Sequence, residues 1–121
     1  MDQMLVHTLN TRADELAHVR MVVRRALEAH GCPEAHISDV VAVTDELLAR
    51  AAEAGSEHVE LRVTGAYRGT RIEIEDHLPE SAADGMTRST LRNRLLQRLT
   101  STVGSEPRND ARRMIFAEVP L

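Results

Sequence analysis

What the chain lacks narrows it first. There is no tryptophan and no lysine, and the aromatics are Tyr67 and Phe116 alone. A core must therefore be built from Leu, Val, Ile, Met and Ala, and the aromatic platforms on which nucleic-acid bases stack are almost missing. Nucleic acid is accordingly not expected as a partner. The single cysteine, Cys32, excludes an internal disulfide and makes a reducing, cytoplasmic setting the simplest expectation. No apolar run approaches the ~20 residues that cross a bilayer. The opening MDQMLVHTLN also lacks the basic-then-apolar layout of a signal peptide, so no membrane association is expected. Neither a nucleophile elbow with Ser, His and Asp nor a phosphate loop occurs.

What is present suits one globular unit. The 121 residues are 42% hydrophobic, enough for a single domain spanning 1–121. Every basic residue is arginine and alanine is abundant, which points to GC-rich, bacterial coding. The net charge of −4 is unevenly spread: residues 1–86 carry 8 Arg against 16 acids, residues 87–121 carry 7 Arg against 3. That polarity either steers a charged partner or lets a basic tail fold back on an acidic body.

The most informative stretch is PEAHISDVVAVTDELLARAAEAG, Pro33 to Gly55. Ile37, Val40, Val41, Leu47, Leu48 and Ala51 recur at helical spacing and predict a core stripe. Pro33 suits the first helical position and Gly55 the end. A second face carries Val43, Glu46, Arg50 and Glu53. Before this helix, Met4–Leu9 alternates as a strand, and Leu16, Val19, Val23, Ala26 and Leu27 mark a first helix, with a weak capping box in Thr11 and Asp14. After it, Val59, Leu61 and Val63, then Ile72 and Ile74, alternate on either side of a glycine-bounded turn, Gly65–Gly69, predicting a hairpin. Leu91, Leu95, Leu96 and Leu99 indicate a third helix bearing Arg88, Arg92, Arg94 and Arg98, broken off by Gly104 and Pro107. A last strand runs from Arg112 to Leu121, with room for a short one near Val103. The order β-α-α-β-β-α-β fits an α+β fold, a two-layer α/β sandwich with three helices on one face of a mixed, mostly antiparallel sheet.

That order, with VAVTDELLARAAEAG followed by a hairpin ending IEIEDHLP, resembles the Bergerat-fold ATP-binding domain of the GHKL superfamily. More narrowly the chain is similar to small bacterial anti-sigma-factor serine kinases and related actinobacterial domains, over nearly its whole length. The resemblance implies an acid on the central helix and, four residues on, an asparagine that ligates the Mg²⁺ of ATP. It also implies an Asp-x-Gly whose aspartate binds adenine, and a glycine-rich segment that closes over the phosphates.

Carried onto this chain, the acid is Glu46 and the adenine aspartate is Asp76. The metal-binding asparagine is replaced by Arg50, the glycine by Leu78, and the glycine-rich segment by Arg88-Ser89-Thr90-Leu91. A guanidinium is never a ligand for Mg²⁺. Without glycine, a loop does not readily turn successive N–H groups toward phosphate. The scaffold is kept and the site is dismantled.

Each surviving residue also has an ordinary explanation. Glu46 and Arg50 stand in the favourable i, i+4 order of a helix ion pair. Alternatively, Arg50 supplies the metal's charge and binds an anion directly. Asp76 suits a turn cap. His30, Cys32 and His36 lie close in sequence, but their spacing fits no zinc pattern, and no metal is expected.

The expectation is a non-catalytic, transcription-linked protein-binding regulator without cofactor, its catalytic candidate Glu46 and cofactor candidates Asp76 and Arg50 vestigial. Its partners would be a sigma factor, an antagonist of one or a DNA-binding regulator, in a homodimer or hetero-complex. The rival readings are an ATP- and Mg²⁺-dependent anti-sigma-factor serine kinase with an atypical site, and a structural partner of a DNA-binding regulator.

Overall fold

The computed structural model describes residues 2–77, 93–108 and 112–121. It contains β1 (Gln3–Asn10), α1 (Ala13–Ala29), α2 (Glu34–Glu53), β2 (His58–Ala66), β3 (Gly69–His77), α3 (Arg94–Leu99), β4 (Thr102–Pro107) and β5 (Arg112–Pro120). The strands form one five-stranded sheet in the order β1-β2-β3-β5-β4. Every described pairing is antiparallel, so the sheet is not mixed. Among the described residues no helix is long and apolar enough to cross a membrane.

Alternation builds the core. Val59, Leu61, Val63, Ile72, Ile74, Ile115, Ala117 and Val119 all face one side of the sheet and are buried. The stripes of α1 (Val19, Val23, Leu27) and α2 (Ile37, Val40, Val43, Leu47, Leu48, Ala51) close over them. α2 packs on β3 and β5, α1 on β1 and α2, and α3 on α2. Each fully buried aliphatic side chain contributes roughly 1.5–3 kcal/mol, so this stripe dominates the stability of the layer.

Both long helices end the same way. Gly31 and Gly55 adopt φ of 74° and 92°, and the N–H groups of Cys32 and Ser56 reach back to the Leu27 and Ala51 carbonyls. Their N-termini differ from the sequence expectation. Pro33 is the N-cap residue rather than the first helical one. Arg12, not Thr11, precedes α1, and no side chain caps it. The Thr11 hydroxyl instead donates to the Ser56 carbonyl at 2.5 Å, tying the start of α1 to the end of α2.

Two further expectations change. The turn expected over Gly65–Gly69 tightens to Tyr67 and Arg68, because Gly65 pairs with Thr70 and Ala66 with Gly69. Gly104 and Pro107 do not break the third helix. That helix stops at Leu99, and both residues lie in β4, an edge strand, where a missing N–H is tolerated. Residues 91–92, where the helix was expected to begin, lie outside the described residues.

Candidate functional site

Helical spacing places Glu46, Arg50 and Glu53 along one side of α2. Arg50 sits between the two acids. Its Nη2 donates to Glu53 Oε1 at 3.0 Å and lies 3.8 Å from Glu46 Oε2. The Arg50 side chain is 23% exposed, and its Nε is buried without a hydrogen-bond partner among the described residues. This is more enclosed than an ordinary surface pair, and loss of the guanidinium would leave the partly buried Glu46 carboxylate without its neighbouring positive charge.

A residue that sequence reasoning missed completes the cluster. Asn93, the N-cap of α3, accepts a hydrogen bond from the Leu96 N–H through Oδ1 at 3.1 Å. Its Nδ2 donates to Glu46 Oε2 at 3.0 Å. The cap and the carboxylate together fix which way the amide points, since only the oxygen can accept and only the nitrogen can donate. Glu46 Oε2 is thus shared between Asn93 and the neighbouring guanidinium, and this sharing ties α2 to α3. An Asn before a helix is a visible N-cap signal, yet its contact spans 47 residues and no local pattern announces it.

Asp76 lies at the far end of β3 on the helix-facing side, opposite Val59 and Arg113. It is buried and engaged within the fold. It borders a recess of about 140 Å³ with Thr8, His58, Glu60, Glu75 and Arg112, a lining that includes none of Glu46, Arg50 or Asn93. The structure therefore joins Glu46 to Arg50, while neither lines the recess beside Asp76. Leu78 and the segment 88–91 lie outside the described residues.

The donor set at α2 does not suit Mg²⁺. That cation asks for hard oxygen ligands in near-octahedral order. Here one position offers a guanidinium, which only donates, and the adjacent carboxylate oxygen is already hydrogen-bonded.

His30, Cys32 and His36 do not converge. His30 Nδ1 lies 2.9 Å from the Ala26 carbonyl at the exposed end of α1, and Cys32 packs against the core. His36 is buried, its Nε2 2.8 Å from Thr70 Oγ1. Among the described residues no group of three or more His, Cys, Asp or Glu is arranged to hold a metal ion. Burial lowers the His36 pKa from its ordinary 6.5. The Pro120 carbonyl and Asp39 push the other way, but Nδ1 makes no hydrogen bond of ordinary geometry among the described residues.

The sequence pattern described as the histidine kinase-like ATPase domain matches residues 9–109. The fold is similar to that of a chain in the crystal structure of the SiaB-SiaC complex from Pseudomonas aeruginosa, with a TM-score of 0.64 and 11% identity. That likeness covers 98% of this chain and 91% of the other. No curated protein matches the sequence.

Proposed function

The chain belongs to the histidine kinase-like ATPase domain family, and from that premise we propose that it is a protein-binding regulator of the anti-sigma type whose nucleotide site is out of use. The observation that carries this reading is the cluster on α2. Arg50 stands where the resemblance puts a metal-binding asparagine, and Glu46 is held by Asn93 and Arg50. Both contacts fall on Oε2, so an incoming hydroxyl would have to dock on the other carboxylate oxygen. A guanidinium beside it takes over the charge that a cation would bring, without the open coordination positions. What remains for function is surface. The structural relative comes from a two-protein complex, which supports a protein partner here. The proposal adds, from the sequence alone, transcription-linked control in a cytoplasmic, actinobacterial setting. The chain acts as one domain, in a homodimer or a hetero-complex.

The retained Glu46 and Asp76 favour the rival reading, a serine kinase with an atypical site. Reconstitution separates the two. A partner captured from the native host is purified and titrated against this chain with and without ATP and Mg²⁺. The proposal expects equal affinity in both conditions and no phosphate on the partner. Phosphorylation of the partner, abolished by Glu46→Ala, would establish the kinase instead.

A further inference from the structure

We propose that the tip of the β2–β3 hairpin, Tyr67 and Arg68, is a preformed contact point for a protein segment that presents a carboxylate beside an apolar side chain. Two local rules are broken at this one place. Where a two-residue hairpin turns left-handed, Gly or Asn is the ordinary occupant. Here it is Arg68, at φ 60°, a conformation disfavoured for any residue with a Cβ. Its neighbour Tyr67 is one of two aromatics in the chain and is 86% exposed, with no core beneath it. A hairpin shaped for stability alone would carry glycine at 68 and a small polar residue at 67.

The two side chains meet each other instead. The Arg68 guanidinium carbon lies 5.1 Å from the centroid of the Tyr67 ring. The turn beneath them is firmly held. Gly69 pairs with Pro120, and the Arg68 carbonyl accepts the Leu121 N–H at 2.9 Å. At Gly69 an added Cβ would fall 2.3 Å from the Val119 carbonyl oxygen, so only glycine lets β3 and β5 approach so closely. Little ordering is left for a partner to impose, which favours binding.

The chemistry of the tip selects its partner. Tyrosine offers rigid apolar area, and arginine offers a planar fork that matches a carboxylate. Arg20, Arg24, Arg50 and Arg71 each have an acid within ion-pair distance, whereas Arg68 has none among the described residues. An unneutralised guanidinium stacked on an exposed ring fits an acidic segment with a Leu, Phe or Trp nearby. A net charge of −4 disfavours nucleic acid. The inference is independent of the state of the α2 cluster.

Two measurements on the intact protein test it. In the first, Arg68→Gly should leave the Tm unchanged or raise it by up to about 4 °C, since the left-handed turn is relaxed. In the second, peptides displayed on phage are selected on the wild-type chain and counter-selected against the Tyr67→Ser/Arg68→Gly variant. The enriched peptides should pair Asp or Glu with Leu, Phe or Trp. Synthetic copies should bind the wild type at least about tenfold more tightly than the variant, a difference of about 1.4 kcal/mol. A marked fall in Tm for Arg68→Gly would show that the tip serves the fold. Selection of no peptide that distinguishes the two proteins, or of basic peptides only, would overturn the proposal, as would tip-dependent binding of a single-stranded oligonucleotide in their place.

Discussion

The proposed reading of the site turns on one residue, Arg50. Its position was legible because Glu46 and Arg50 follow the helical period, and a guanidinium announces its own chemistry. The hydrogen bond from Asn93 was not legible, because a 47-residue separation is closed only by the packing of α3 on α2. With two acids beside it and most of its surface covered, Arg50 contributes more than a fully solvated pair. Arg50→Ala is expected to lower stability by about 1 kcal/mol, the upper end for such pairs, as read from urea unfolding midpoints. A change below about 0.3 kcal/mol would make it an idle surface contact. His36 gives a second prediction at this scale. Its folded pKa lies below the unfolded 6.5, so the unfolded chain binds more protons as the solution becomes acidic. The contribution is present above pH 6.5 and is lost as pH falls below it. Unfolding free energy measured at pH 7.5 and at 5.5 should drop at the lower pH, and the drop should shrink in His36→Gln.

Among the elements, the strands were legible wherever one face is apolar, as in β2 and β3, because the period of two then fixes the register. The ends of elements were less legible. Pro107 reads as a breaker in sequence, yet an edge strand accepts it, and which strand lies at an edge is a property of the whole sheet. Thr11 reads as a cap, but a neighbouring carbonyl at Ser56 competes for its hydroxyl. β1 is the other edge. It pairs only with β2 among the described strands, and its residues Gln3–Asn10 include no charge and no proline, the usual protections of an open edge. If the proposed self-association uses this edge, Val6→Lys should convert an associated species to the mass of one chain by light scattering. Val6 is partly exposed, so the substitution spares the core, whereas deleting the strand would remove buried Leu9. An unchanged mass for the variant would move the interface elsewhere.

For the whole molecule, the sheet face away from the helices finishes itself with arginine. The Arg71 guanidinium lies over the Phe116 ring at 4.2 Å and pairs with Glu73 and Glu118. Arg71→Ala should therefore cost about 1–2 kcal/mol through lost packing as well as lost charge, measurable as a shift in urea midpoint with an unchanged slope. The hydrophobic core, by contrast, includes none of Glu46, Arg50 or Asp76. On the proposed reading, a family fold persists while its site is rewritten. The fold was readable because apolar periodicity is a property of many residues together. The site was only partly readable, because it rests on a few side chains brought together by tertiary packing.

Calorimetric titration of the purified chain with ATP in the presence of Mg²⁺ tests the central claim most directly. The account predicts no binding tighter than about 1 mM, the range of a few weak contacts, and no change in that result with Glu46→Ala. A micromolar dissociation constant, lost in Glu46→Ala, would contradict it and return the chain to the working ATPases of its family.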